Sequence, residues 1–186
     1  QLRHTKFALE QIIDHRHRFT TVVVLTKNPL RATQLGYVDI LKDLMELPTD
    51  HPKHEQFARN GRPGFIMEIS LAFWQESARQ EYDECAPSIE ERMEGIKLLH
   101  EAGIPIVLRI DPLFPRSPLQ QHPLRTFADF NLSEAQTFED LENLVSFAKD
   151  ILVQHIVYSQ AKIVKPRGRK LSEKLQALRS AYEVVA

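Results

Sequence analysis

Hydrophobic positions along the chain fall into two alternating kinds of segment. Phe19-Thr20-Thr21-Val22-Val23-Val24-Leu25-Thr26 is a β-branched run without polar alternation. Such a run suits a strand buried on both faces, as parallel sheets require. Asn28-Pro29 closes it with turn chemistry. Phe65-Ile66-Met67-Glu68-Ile69-Ser70 repeats the pattern, as does the stretch 104–110, which Asp111-Pro112 ends. His155-Ile156-Val157-Tyr158 gives a fourth, shorter strand. Between the strands, apolar residues recur at helical spacing. Phe7, Leu9, Ile12 and Ile13 mark a helix over 5–13, and Tyr37, Ile40, Leu41, Leu44 and Met45 mark another. Ser88-Ile89-Glu90-Glu91 is a capping box, followed by the stripe Ile89, Met93, Ile96 and Leu99 and by Gly103 as a left-handed stop. A further helix covers roughly 138–152, with Leu141, Leu144, Val145 and Ala148 on one face, and a last one 172–185. Residues 48–64 show no sustained period and read as a long surface loop, and 165–170 as a basic loop.

Strands alternating with helices, each strand a continuous apolar core, predict parallel βα units in one α/β domain over residues 1–186. The four strands are expected side by side in chain order. In such folds the chemistry gathers at the carboxyl ends of the strands. That rule selects Thr26 and Lys27 at the end of the first strand, Glu68 and Ser70 on the second, Arg109 and Asp111 on the third, and residues 158–162 at the fourth. Lys27 is a point charge suited to a carboxylate or phosphate. Glu68 lies two residues before Ser70, hence on the same strand face, and needs a cationic partner there, Lys27 or Arg109. Asp111 precedes Pro112, which holds it extended at the rim.

Charge and cysteine content narrow the chemistry. The formal net charge of -1 leaves no basic field to hold a long stretch of nucleic acid by counterion release. The longest apolar run, 22–25, is strand-sized, so no membrane span is expected, and the opening residues carry no signal-peptide pattern. The single cysteine, Cys85, excludes an internal disulfide and fits a reducing cytoplasm. With no base placed beside it by the sequence, it reads as a plain thiol. His15 and His17 precede the first strand, at the amino end of the sheet, and His51 and His54 read as solvated loop residues, so no metal site is expected from the histidines.

The order and spacing of several phrases resemble the spore photoproduct lyase-like branch of the radical S-adenosylmethionine (SAM) superfamily. These are Val24-Leu25-Thr26-Lys27-Asn28, Glu68-Ile69-Ser70-Leu71, Ala86-Pro87-Ser88-Ile89-Glu90-Glu91-Arg92, Ala102-Gly103-Ile104-Pro105 and Asp111-Pro112-Leu113-Phe114-Pro115. The resemblance covers residues 1–115, leaving 116–186 as a remaining βα unit and a C-terminal helix. It implies a partial parallel (β/α) barrel of the radical SAM type, lacking its first strands. It also implies a [4Fe-4S] cluster and SAM in the full-length protein, with reductive cleavage of SAM to a 5′-deoxyadenosyl radical. By position, Lys27 and Ser70 match SAM-binding residues, and Glu68, Arg109 and Asp111 lie on the substrate or adenosine side. Nucleic acid enters as a substrate only by family analogy.

The same resemblance marks a departure. Cluster binding needs three thiolates, and this chain has one cysteine. The expectation is therefore the later part of a longer enzyme, inactive by itself, rather than a degenerate relative. Two other readings stand beside it. One is a carboxylate- or metal-dependent barrel enzyme using Glu68 and Asp111 directly; the other is a non-catalytic interaction module presenting Phe73, Trp74 and Phe114 as a patch.

Overall fold

A computed structural model describes residues 2–121, 124–153, 155–162 and 170–183. The β-branched runs form four strands: β1 (Val22–Thr26), β2 (Phe65–Ser70), β3 (Ile106–Leu113) and β4 (His155–Gln160). Every pairing is parallel, and the spatial order β1-β2-β3-β4 follows the chain, as the alternation of patterns predicts. The described helices are α1 (Leu2–Asp14), α2 (Pro29–Gln34), α3 (Val38–Asp43), α4 (His54–Arg59), α5 (Glu76–Tyr82), α6 (Ile89–Glu101), α7 (Phe138–Asp150) and α8 (Glu173–Glu183).

The strand register decides which side chains meet the helices. With Val24 opposite Met67 and Met67 opposite Ile106, one sheet face carries Val22, Phe65, Met67, Ile69, Leu108 and Ile110. These join Leu41 and Leu44, Ile96 and Leu99 of α6, and Leu144, Phe147 and Ala148 of α7 in one core cluster. The other face carries Val23 and Leu25, Ile66 and Glu68, Val107 and Arg109, and Val157. None of its apolar residues belongs to that core, and Val23 and Leu25 are 51% and 59% exposed. The expectation that the first strand is buried on both faces is thus corrected: β1 is covered on one. A β-branched run reports fit to a pleated strand, not what lies over each of its faces.

The capping box of α6 forms as expected, Ser88 Oγ accepting from Glu91 N–H at 3.2 Å and Glu91 accepting from Ser88 N–H at 2.9 Å. Gly103 takes a left-handed φ of 80° behind it. The helix predicted from Tyr37 to Met45 is found as α3, and a further helix, α2, precedes it, the two separated at Gly36, which adopts φ 67°. Asn28 caps α2, its side chain accepting from Arg31 N–H, with Pro29 in the first turn. α2 lies so close to α6 that a methyl group at Gly95 would stand 2.2 Å from Leu30 N.

Four further expectations change. The loop 48–64 contains α4, whose Phe57 is buried. His51 is also buried, its Nδ1 accepting from Lys53 N–H, and His54 Nδ1 lies 2.8 Å from Leu47 O, so neither is a freely solvated loop histidine. β3 does not stop at Asp111-Pro112 but continues to Leu113, across a cis Asp111–Pro112 peptide. Since proline brings no N–H, the β3–β4 ladder skips from Ile110 to Leu113. Phe73 and Phe114 are buried, stacked among Tyr82 and Tyr182 with ring centroids 5.2–6.2 Å apart. The surface patch expected from Phe73, Trp74 and Phe114 is therefore absent, its rings being spent on the core. Residues 165–169 and Val185 lie outside the described residues. Among the described residues no helix is long and apolar enough to cross a membrane.

Candidate functional site

Parallel pairing in chain order brings the carboxyl ends of all four strands to one edge of the sheet. Lys27 directly follows β1, Ser70 ends β2, and Asp111 lies near the end of β3. The register sets Ser70 opposite Arg109, with the Ser70 hydroxyl 3.5 Å from the Asp111 carbonyl oxygen, a long contact for a hydroxyl donor. Of these rim residues, Glu68, Arg109 and Asp111 form one charge cluster and Lys27 joins a second.

The first stands on the uncovered face. Arg109 places Nη1 2.7 Å from Glu68 Oε2 and Nη2 3.0 Å from Asp111 Oδ2. One guanidinium thus bridges two carboxylates, a geometry that its planar fork provides. The hydrogen bonds Arg109 donates to Glu68 and Asp111 push its pKa further up. Counting one cation against two anions, the cluster carries a net charge of -1. Arg109 already engages one oxygen of each carboxylate and offsets half of their combined charge, which weakens the case for their direct use as metal ligands. Of the two partners foreseen for Glu68, Arg109 takes the role and Lys27 does not.

Lys27 belongs to the second cluster. Its Nζ lies 2.7 Å from Asp83 Oδ1, and the other oxygen of Asp83 lies 2.8 Å from Arg92 Nη2. Arg92 is 1% exposed and spends its remaining donors on the carbonyls of Pro87 and Ser70, at 3.1 and 3.0 Å. Burial by itself raises the Asp83 pKa, but the hydrogen bonds and charges of Lys27 and Arg92 outweigh it and hold the carboxyl below its ordinary value. The loop that carries Asp83 is clipped by Arg79, whose Nη1 donates to the carbonyls of Asp83, Glu84 and Ala86. Lys27 is the exposed end of this chain of charges, its side chain 52% accessible. The Ser70 hydroxyl, in contrast, is buried.

Asp83 and Arg92 were not among the residues the strand-end rule selected, since Asp83 comes from the α5–α6 connection and Arg92 from α6 itself. A signal for Arg92 was present. It falls on the buried stripe of α6 with Ile89, Ile96 and Leu99, where a guanidinium requires a carboxylate partner. Behind the rim, Gln136 fastens the strand ends together. Its amide nitrogen donates to Ala72 O at 2.6 Å and Pro112 O at 2.9 Å, while its oxygen accepts from Phe114 N–H at 2.8 Å. Cys85 is exposed in the α5–α6 connection, and among the described residues no group of three or more His, Cys, Asp or Glu side chains converges as a metal site. No protein-family model, curated protein or solved structure matches this chain.

Proposed function

We propose that this chain forms the later βα units of a radical SAM-type barrel, whose sheet further strands complete. One observation carries the proposal: a parallel sheet in strict chain order, which the described helices cover on one face only. An open doubly wound sheet reverses its strand order and takes helices on both faces, whereas a barrel keeps chain order and turns its second face inward. On that basis the face carrying Glu68, Arg109 and Asp111 lines the barrel interior. Lys27 then stands at its mouth.

The residues present match the expected cofactors unequally. A single exposed cysteine, Cys85, cannot hold an iron–sulfur cluster, so no step is assigned to one on this chain. For SAM the Lys27 ammonium is suitable. It is accessible, and with one N–H directed to Asp83 it retains donors for a carboxylate. Ser70 would have to turn its hydroxyl away from the Asp111 carbonyl to reach a ligand. SAM, when bound, supplies the adenosyl group in such enzymes; the contribution of this chain is to hold its amino-acid end at Lys27 and to present Glu68, Arg109 and Asp111 to the substrate or adenosine.

The test is to express the protein with its upstream coding sequence, reconstitute it anaerobically with iron and sulfide, and assay for 5′-deoxyadenosine under reduction. The longer protein is expected to bind a cluster and cleave SAM, and the 186-residue chain to do neither. A longer protein that takes up no cluster overturns the proposal.

A further inference from the structure

We infer that Asp83 is the positioning residue for Lys27, fixing where the ammonium stands at the rim. The site role of that ammonium rests on the proposed SAM reading; the positioning rests on geometry alone. A lysine at a strand end has a flexible four-carbon stem, and an unrestrained ammonium samples many positions at an entropic cost to any ligand that must localise it. Here the ammonium has a fixed acceptor, Asp83 Oδ1 at 2.7 Å. Asp83 is in turn fixed. Its side chain is 13% exposed, its other oxygen is bound by Arg92, and its backbone carbonyl accepts from Arg79.

The anchoring extends to the sheet. Arg92 donates to the carbonyl of Ser70, the last residue of β2, so the position of Lys27 is referred back to the neighbouring strand end. The charges of Lys27, Asp83 and Arg92 sum to +1, so the cluster still attracts an anion although its exposed cation has a carboxylate partner. Arg92 has no exposed surface on which a ligand could land, which leaves Lys27 to make the contact. A carboxylate-bearing ligand would thus meet an ammonium already held in place, and preorganisation of this kind lowers the cost of binding.

Two measurements test the inference. The first needs no ligand: acylation of Lys27 amine by a soluble active ester, followed by peptide mass spectrometry, with exposed Lys42 and Lys53 as internal references. In Asp83→Asn protein the Lys27 rate should rise severalfold relative to those references, and Asp83→Glu should restore much of the protection. A rate unchanged in Asp83→Asn, with folding verified by circular dichroism, overturns the positioning role. The second is SAM affinity in the longer protein, as a double-mutant cycle. Asp83→Asn should weaken binding by about tenfold, the size of one charged hydrogen bond. In a Lys27→Ala background it should cost nothing more, whereas a purely structural effect through Arg92 would persist there. If labelling responds as expected but wild-type protein binds no SAM, the SAM reading fails and the positioning stands.

Discussion

Arg109 and Glu68 meet diagonally across the β2–β3 pair, Nη1 to Oε2 at 2.7 Å, on the sheet face that the helices leave uncovered. Asp111 accepts from the same guanidinium, so removing Arg109 leaves two carboxylates on that face without their shared cation. Arg109→Met keeps the aliphatic stem and is expected to destabilise the protein by about 1 kcal/mol, the upper end for a partly exposed pair. Adding Glu68→Gln should cost less in that background than alone, because the lost partner is already gone. Urea unfolding of the four proteins in the cycle measures this. Strict additivity would mean that the pair is screened to nothing.

The α2–α6 contact predicts a second outcome, with two effects of opposite sign. Gly95→Ala raises helix propensity in α6 by about 1 kcal/mol. The new methyl group, however, would lie 2.2 Å from Leu30 N and 2.6 Å from Leu30 Cα, which are backbone atoms and cannot rotate aside. Overpacking of this kind costs typically about 1–3 kcal/mol, and the backbone contact places this case at the upper end. Net destabilisation is therefore expected, read as a lower urea midpoint with an unchanged slope.

Asp83 gives a dependence on pH whose sign follows from its environment. Its burial pushes the carboxyl up, yet Lys27 and Arg92 hold it below the ordinary value, so the folded pKa lies under the unfolded one. A depressed carboxylate stabilises the fold above the unfolded pKa and loses that contribution as pH falls through the folded value. The stability difference between wild type and Asp83→Asn should accordingly be constant from neutral pH down to about pH 5, then shrink below about pH 4. Urea midpoints of both proteins across that range check it. A difference that grows on acidification would contradict the pairing.

Strand positions were legible because β-branched runs without polar alternation have few other solutions, and their chain order followed from the amphipathic segments between them. The rim residues Lys27, Ser70 and Asp111 were legible for the same reason: a strand end is a place in the sequence as well as in space. Asp83 was not, because its role depends on the α5–α6 connection reaching Lys27 just past the end of β1, and no period in the sequence encodes that approach. The helix α2 ahead of Tyr37 was not legible, because it spans only six residues, too few to show a helical period. Burial of Phe73 and Phe114 depended on Tyr182, more than sixty residues away, arriving from α8 to complete the cluster. Contacts at such separations leave no local signature.

The last prediction concerns the free edge of β1. Val22 N–H donates to Gly64 O, so the alternation of a parallel ladder turns the N–H groups of Val23 and Leu25 toward the outer edge. The side chains of the same two residues stand exposed on the uncovered face. An edge with open backbone donors beside exposed apolar side chains is a template for further strand pairing. If barrel strands normally pair there, the Val23 and Leu25 amides should exchange rapidly with deuterium in the 186-residue chain and slowly in the longer protein. The shorter chain should also associate as its concentration rises, and Leu25→Lys should suppress that association by placing a charge on the face and edge where copies meet. Hydrogen exchange and sedimentation velocity measure the two effects separately. Equal exchange of these amides in the short and long proteins would mean that nothing pairs with β1, and the barrel reading would fail at its first strand.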